Sequence, residues 1–232
     1  MAKLAVAKGR VHRRPGGGSG RPPLARAGEV DERILDAARS AFLERGLAGA
    51  SIDEIAGRAR AGKPTIYARF PSKEALFTAV VMRQVAGKVA QFQGLVPAGA
   101  TVEERLASLA ATVLHWVFLG DTLDLMRLGI AEARRFPDLA ISVHRMARGR
   151  CEEVLARLLG EAAQADALGS LTAFAPERLA TTTRLFTDLA VMPMIMRALY
   201  GEMIESLRAE IGPHVALSVT FFLAACRQGG VD

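Results

Sequence analysis

From Glu29 onward, apolar residues recur every three or four positions, and no stretch alternates apolar with polar residues long enough to make a strand. That spacing draws one apolar stripe along each helix, and the stripes are hidden by stacking helices on one another. Ala and Leu dominate and aromatic residues are 6% of the chain, which favours helix by propensity as well. No self-similar period of about 30–50 residues appears, so a solenoid is not expected. The expected fold class is all-α.

Local signals divide the pattern. Ile34, Leu35, Ala38, Ala41 and Phe42 give a first helix at about 30–45, with Gly46 as its C-cap. Ser51-Ile52-Asp53-Glu54 reads as a capping box, in which Ser51 and Glu54 satisfy each other's end amides and open a helix at about 52–59. Arg60-Ala61-Gly62 makes a tight turn. Pro64 then falls in the first turn of a short helix at about 63–69, where its missing N–H costs nothing. Pro71 and Ser72 end it, and Ser72 caps a fourth helix at about 73–92. Further helices are expected at about 102–119, 121–135, 138–167, 176–199 and 203–228, the last bent at Pro213.

Charge is unevenly spread. Residues 1–28 carry seven Lys or Arg and no acid, whereas the remainder holds 23 basic and 24 acidic residues. The first 28 residues are Gly, Pro and Arg rich, with too little apolar surface to offset ordering entropy, and read as a disordered basic arm. Gly16-Gly17-Gly18-Ser19-Gly20 lacks the Gly-Lys-Ser/Thr ending of a phosphate loop and reads as linker. No apolar segment follows Arg13-Arg14, so an export signal is not expected. The uncharged stretches Leu106–Gly120 and Val215–Cys226 are shorter than the ~20 residues of a membrane span, so a cytoplasmic protein with no membrane partner is expected. Cys151 and Cys226, far apart in helical surroundings, read as buried reduced thiols. His12, His115, His144 and His214 lack metal-binding spacing, and no nucleophile elbow or nucleotide fingerprint occurs. Neither metal, cofactor nor enzyme activity is expected.

Two short helices joined by a tight turn under a longer first helix form the outline of a helix-turn-helix, at about 51–70. Arg58, Arg60, Lys63, Arg69 and Lys73 follow one another without an intervening acid, while the first two helices carry Asp31, Glu32, Asp36, Glu44, Asp53 and Glu54. A basic face on the third helix and the start of the fourth suits a DNA duplex.

The runs Ile34–Gly46 (ILDAARSAFLERG), Ser51–Ala56 (SIDEIA) and Lys63–Leu76 (KPTIYARFPSKEAL) resemble the TetR/AcrR family of transcriptional regulators across about 28–88. Arg127–Leu139 is similar to a segment of one subgroup of that family's C-terminal domains. The resemblance implies a DNA-binding domain at 29–88 and a helical effector-binding and dimerisation domain at 89–232. Ser51 would cap the second helix beside a phosphate. Arg60, Lys63, Pro64 and Thr65 would lie at the opening of the recognition helix, and Tyr67 and Arg69 would contact the backbone. Lys73 would hold a phosphate from a helix N-terminus. Where the family usually has Gly-Val-Ser, this chain has Arg60-Ala61-Gly62. Positions that are aromatic or His in the family are Ala68 and Arg69, which implies charge contact in place of stacking.

In the larger domain, His115, Trp116, Phe118, Met126, Arg127, Met146, Phe186 and Met192 are candidates to line a pocket for an apolar or aromatic effector. Leu185, Leu189, Met192 and Met196, with Leu217, Phe221, Leu223 and Ala224, leave apolar faces on the last two helices. A second copy would cover them. The expected protein is a homodimeric repressor that binds a near-palindromic operator and is released by ligand. The alternative is a helix-turn-helix DNA binder that senses no ligand, which would have a filled body.

Overall fold

The computed structural model describes residues 24–92, 94–164 and 170–228. Its regular elements there are helical: α1 (Leu24–Gly49), α2 (Ile52–Ala59), α3 (Lys63–Tyr67), α4 (Lys73–Phe92), α5 (Val102–Val117), α6 (Thr122–Glu132), α7 (Pro137–Gln164), α8 (Leu179–Ala190), α9 (Met192–Leu199) and α10 (Ile204–Arg227). Residues 1–23 of the expected basic arm lie outside the described residues. α1 begins at Leu24, earlier than the expected start near residue 30, where Leu-Ala-Arg-Ala offers four good helix formers.

α1, α2, α3 and α4 enclose a small core of Ile34, Phe42, Leu47, Ile55, Ile66, Leu76 and Phe77. Each such side chain contributes about 1.5–3 kcal/mol by leaving water. Phe42 and Phe77 meet edge to face at 5.6 Å. Leu125 of α6 and Val143 of α7 belong to the same core, so the small domain is packed onto the larger one.

Gly46 interrupts α1 with φ 72 and ψ 170, the left-handed side that glycine alone takes without penalty. The chain turns away there, and the Leu47 and Ala48 amides donate to Oε1 of Glu132, the last residue of α6, at 2.9 and 3.3 Å. At the other end of α6, Asp121 pairs with Arg39 of α1 at 3.0 Å. α6 is thus fastened to α1 at both ends. From the middle of α6, Arg127 donates to the Ala198 carbonyl of α9 at 2.6 Å and to Asp124 at 2.8 Å.

The larger core holds Leu106, Leu109 and Leu114 of α5, Leu158 and Leu159 of α7, Phe186 of α8, Met194 of α9 and Leu207 and Leu223 of α10. The expected single helix at 176–199 is two helices. Pro193 has no N–H to continue the ladder, so α8 ends at Ala190 and α9 starts at Met192. The Leu189 carbonyl, freed by that break, accepts the Ser218 hydroxyl at 3.4 Å. Pro213 instead lies within the continuous α10.

α10 alone among the described helices is long and apolar enough to cross a bilayer, with mean hydropathy 1.4. Its Leu207, Ile211, Val215, Val219, Phe222 and Leu223 are buried against the other helices, which makes it a core helix of this fold. Cys226 is buried as expected, but Cys151 is exposed on α7.

Candidate nucleic-acid interface

α3 is held by a single root. Ile66 is fully buried, while Lys63, Pro64 and Tyr67 are exposed and Thr65 is half-buried. A helix of five residues with one inward side chain offers the rest to whatever lies outside. Ser51 accepts the Glu54 amide at 3.1 Å and so caps α2. The return half of the expected box is replaced, because Glu54 pairs with Arg58 at 2.7 Å and with Arg45 at 3.2 Å. A complete capping box forms instead at Thr101 and Glu104, at the start of α5. Ser72 caps α4 through the Ala75 amide at 3.1 Å, as its position suggests.

The turn between α2 and α3 carries an unusual residue. Arg60 sits at φ 50 and ψ 46, and it is the sole non-glycine residue with positive φ among those described. A left-handed conformation costs an L-residue roughly 1–2 kcal/mol. Gly62 caps α3 at φ −71 with no side-chain hydrogen bond. A Cβ there would meet nothing nearer than Pro64 Cδ at 3.6 Å.

Tertiary packing brings acids onto the basic face. Arg58 is forked between Glu44, at 2.6 and 2.7 Å, and Glu54. The same guanidinium holds the Glu44 carboxyl below its ordinary value. Lys63 pairs with Asp53, whose hydrogen bond and charge raise the ammonium above the usual lysine range. Arg69 pairs with Asp31 of α1. The Lys73 ammonium, expected to face a phosphate, also donates to the Ala48 and Ala50 carbonyls at 3.1 and 3.0 Å. Two of its three donors therefore tie the end of α1 to the start of α4. The Arg58 and Lys63 pairs are open to solvent, where an ion pair adds little to stability, whereas the Arg69–Asp31 pair is partly shielded. The surface can exchange an internal acid for a phosphate at little expense.

The eight expected pocket residues do not converge on one chamber. Phe118 and Phe186 are packed into the large core, whereas Met146, His115 and Arg127 are exposed. His115 Nδ1 lies 2.6 Å from the Ala111 carbonyl of its own helix. Trp116 is half-buried with its ring 4.0 Å from that of Phe92, and its carbonyl accepts Lys88 of α4 at 2.9 Å. Met126 and Met192 are half-buried at the edge of the same core. Spacing along each helix identified apolar stripes without saying which stripes meet. Open hollows lie elsewhere on the described surface. One, about 340 Å³, lies between α1 and α6 and includes Phe42, Gly46, Arg127 and Leu128. The other, about 520 Å³, lies on α8 and α10 and includes Leu185, Leu189, Phe221 and Cys226.

Around that second hollow, Leu185, Leu189, Met196, Leu217 and Phe221 are 39–63% exposed. Leu223, expected on that face, is buried. Among the described residues no cluster of His, Cys, Asp and Glu could hold a metal. Sequence reasoning missed Glu132 entirely. Its partners are amides 84 and 85 positions away, and nothing local marks them.

Comparison with known proteins agrees with this architecture. Residues 34–80 match the family model for bacterial regulatory proteins of the TetR family, and 104–228 match the model for the AefR-like transcriptional repressor C-terminal domain. The HTH-type transcriptional activator FasR of Mycolicibacterium smegmatis is 41% identical over 86 residues, 37% of this chain and 39% of that protein. The match thus spans well under half of that relative's length. A TetR-family transcriptional regulator from Mesorhizobium loti MAFF303099 superposes with TM-score 0.70 at 27% identity, over 86% of this chain and 98% of its own. The flavonoid-responsive regulator FrrA superposes with TM-score 0.64 at 27% identity, over 85% and 97%. With an outward α3 rooted by Ile66, and with the two family models together covering most of its length, this chain belongs to the TetR family of transcriptional regulators.

Proposed function

We propose that the chain acts as a homodimeric repressor, bound to a near-palindromic operator through α3 and released by a small apolar or aromatic effector. The observation that carries DNA binding is α3 itself: Lys63, Pro64 and Tyr67 exposed over one buried side chain, between the capped start of α2 and Lys73. Ser51, Arg60, Tyr67 and Arg69 are the proposed backbone contacts, with Lys63, Pro64 and Thr65 nearest the base edges. Lys73 keeps one free donor for a phosphate. Such a protein works where the chromosome is, in the cytoplasm.

The apolar faces of α8 and α10 support pairing with a second copy, since Phe221 and Leu217 exceed 60% or reach it in exposure on one surface. A two-fold dimer places its two recognition helices about 34–36 Å apart, one turn of the duplex. The repressor sign is supported by the C-terminal family description, although FasR is named an activator. An aromatic effector is supported by the similarity to FrrA and by Trp116, Met126 and Met192 at the edge of the core. An effector that shifts Trp116 would disturb its contacts with Lys88 and Phe92 of α4, and α4 leads directly to α3. It can drive release only by the difference in its affinity for the two conformations.

Selection of bound duplexes from a random pool, followed by anisotropy titration, tests the reading. Expected are an enriched near-palindrome and a dimer at micromolar concentration; failure to bind any duplex at low salt refutes it. The second reading, DNA binding without an effector, is favoured by the packed interior around Phe118 and Phe186. A thermal-shift screen of aromatic compounds separates the two, since only the first predicts a responding compound.

A further inference from the structure

We propose that Arg60 is a dedicated phosphate contact, kept at a backbone position better suited to glycine because its charge is needed by DNA. This rests on the DNA-binding reading above and assigns one residue a specific share of the affinity.

Three observations carry it. First, between residues 58 and 73 every other cation has a partner within the fold: Arg58 with Glu44 and Glu54, Lys63 with Asp53, Arg69 with Asp31, and Lys73 with two carbonyls. Arg60 makes backbone cap bonds to Ala56 and Gly57, but among the described residues its guanidinium meets no acceptor. Second, Arg60 is exposed in the turn that joins α2 to α3, immediately before the outward-facing recognition helix. Third, its left-handed φ of 50 is one that a glycine would adopt without strain. Among the described residues the Arg60 guanidinium makes no hydrogen bond or ion pair, so apart from its charge near the C-terminal end of α2 nothing within the fold offsets the left-handed backbone that carries it. Strain held at one residue is expected where that residue serves binding.

Arg58, Lys63 and Arg69 must leave an internal acid before they can neutralise a phosphate, and Lys73 has only its third donor to offer, whereas Arg60 surrenders nothing. Its planar guanidinium can also fork onto two phosphate oxygens. In a dimer there are two such residues, and each phosphate they neutralise adds about 0.9 to the salt slope of binding.

The test uses the full chain and two fluorescent duplexes, one selected by the wild-type protein from a random pool and one of mixed sequence, titrated from about 50 to 200 mM salt. Urea unfolding is measured alongside. Arg60→Gly should raise the urea midpoint yet weaken binding to both duplexes roughly five- to tenfold, with the salt slope lowered by about 1.8 for a dimer. Arg60→Asn, neutral and tolerant of positive φ, should bind as weakly as the glycine variant. Arg60→Lys should restore the slope while remaining strained. The proposal is overturned if Arg60→Gly binds with unchanged affinity and slope, or if Arg60→Lys fails to restore the slope. The first result makes the arginine incidental, and the second makes the turn's shape, rather than charge, responsible. Both leave the wild-type protein bound to DNA and the broader reading intact; that reading falls only if the wild type binds neither duplex.

Discussion

Glu132 joins the two domains by one carboxylate oxygen, and removing it gives the sharpest test of how the reader is held. In Glu132→Ala the Leu47 and Ala48 amides lose an acceptor at 2.9 and 3.3 Å, just past the Gly46 kink. A hydrogen bond to a charged acceptor is worth about 1.5–3 kcal/mol, and a buried donor left unpaired costs a similar amount. The longer bond counts for less, and the segment is partly accessible to water, so a total loss of about 2 kcal/mol is expected. For a chain of this size that corresponds to a melting temperature lower by about 4–8 °C. Glu132→Gln retains an oxygen acceptor without its charge and should lose about half as much. Urea unfolding at a fixed protein concentration measures the change, the concentration being held because a dimer's stability depends on it. Amide exchange at Leu47 and Ala48 reads the same contact locally and should accelerate by more than about tenfold, the factor set by roughly 1.4 kcal/mol. A variant within about 0.5 kcal/mol of wild type, typical of plain surface substitutions, would refute the reasoning, as would unchanged exchange at Leu47.

Other outcomes follow from the same geometry. Gly62→Ser supplies the hydroxyl cap that α3 lacks, in space that admits a Cβ, and should stabilise the fold by a few tenths of a kcal/mol in urea unfolding. Phe221→Glu puts charge on the most exposed aromatic of the α8/α10 face, and sedimentation should show monomers where the wild type is dimeric. Glu103 is held below its ordinary carboxyl value chiefly by its hydrogen bond from Arg227, at 2.7 Å, and Glu210 by Arg197 in the same way. Groups whose folded pKa is depressed contribute stability that is present above the ordinary value of 4.5 and lost as the pH falls below it. The urea midpoint should therefore hold from pH 7 to about 5 and decline below, and Glu103→Gln should flatten part of that decline.

The all-α class, the Gly46 break, the Ser51 and Ser72 caps and the placement of Pro64 were legible in the sequence, because each depends on residues within about four positions of one another. The apolar stripe on α10 and the exposed α8/α10 face were legible for the same reason, as was the outward side of α3, since a helix with one strong apolar position has one inward side. What the linear chain left undecided was which surfaces meet. Only the tertiary structure set Asp53 against Lys63, Asp31 against Arg69 and the Ala48 and Ala50 carbonyls at the end of α1 against Lys73, so that a run of cations became a set of pairs with Arg60 left over. It alone packed Phe118 and Phe186 into the core and laid Glu132 across the end of α1. The division has a physical cause. Caps, breaks and stripes are short-range consequences of backbone geometry, whereas ion pairs, cavities and interdomain contacts depend on the relative placement of helices, which is set by the fit of many side chains at once and by no single stretch of chain.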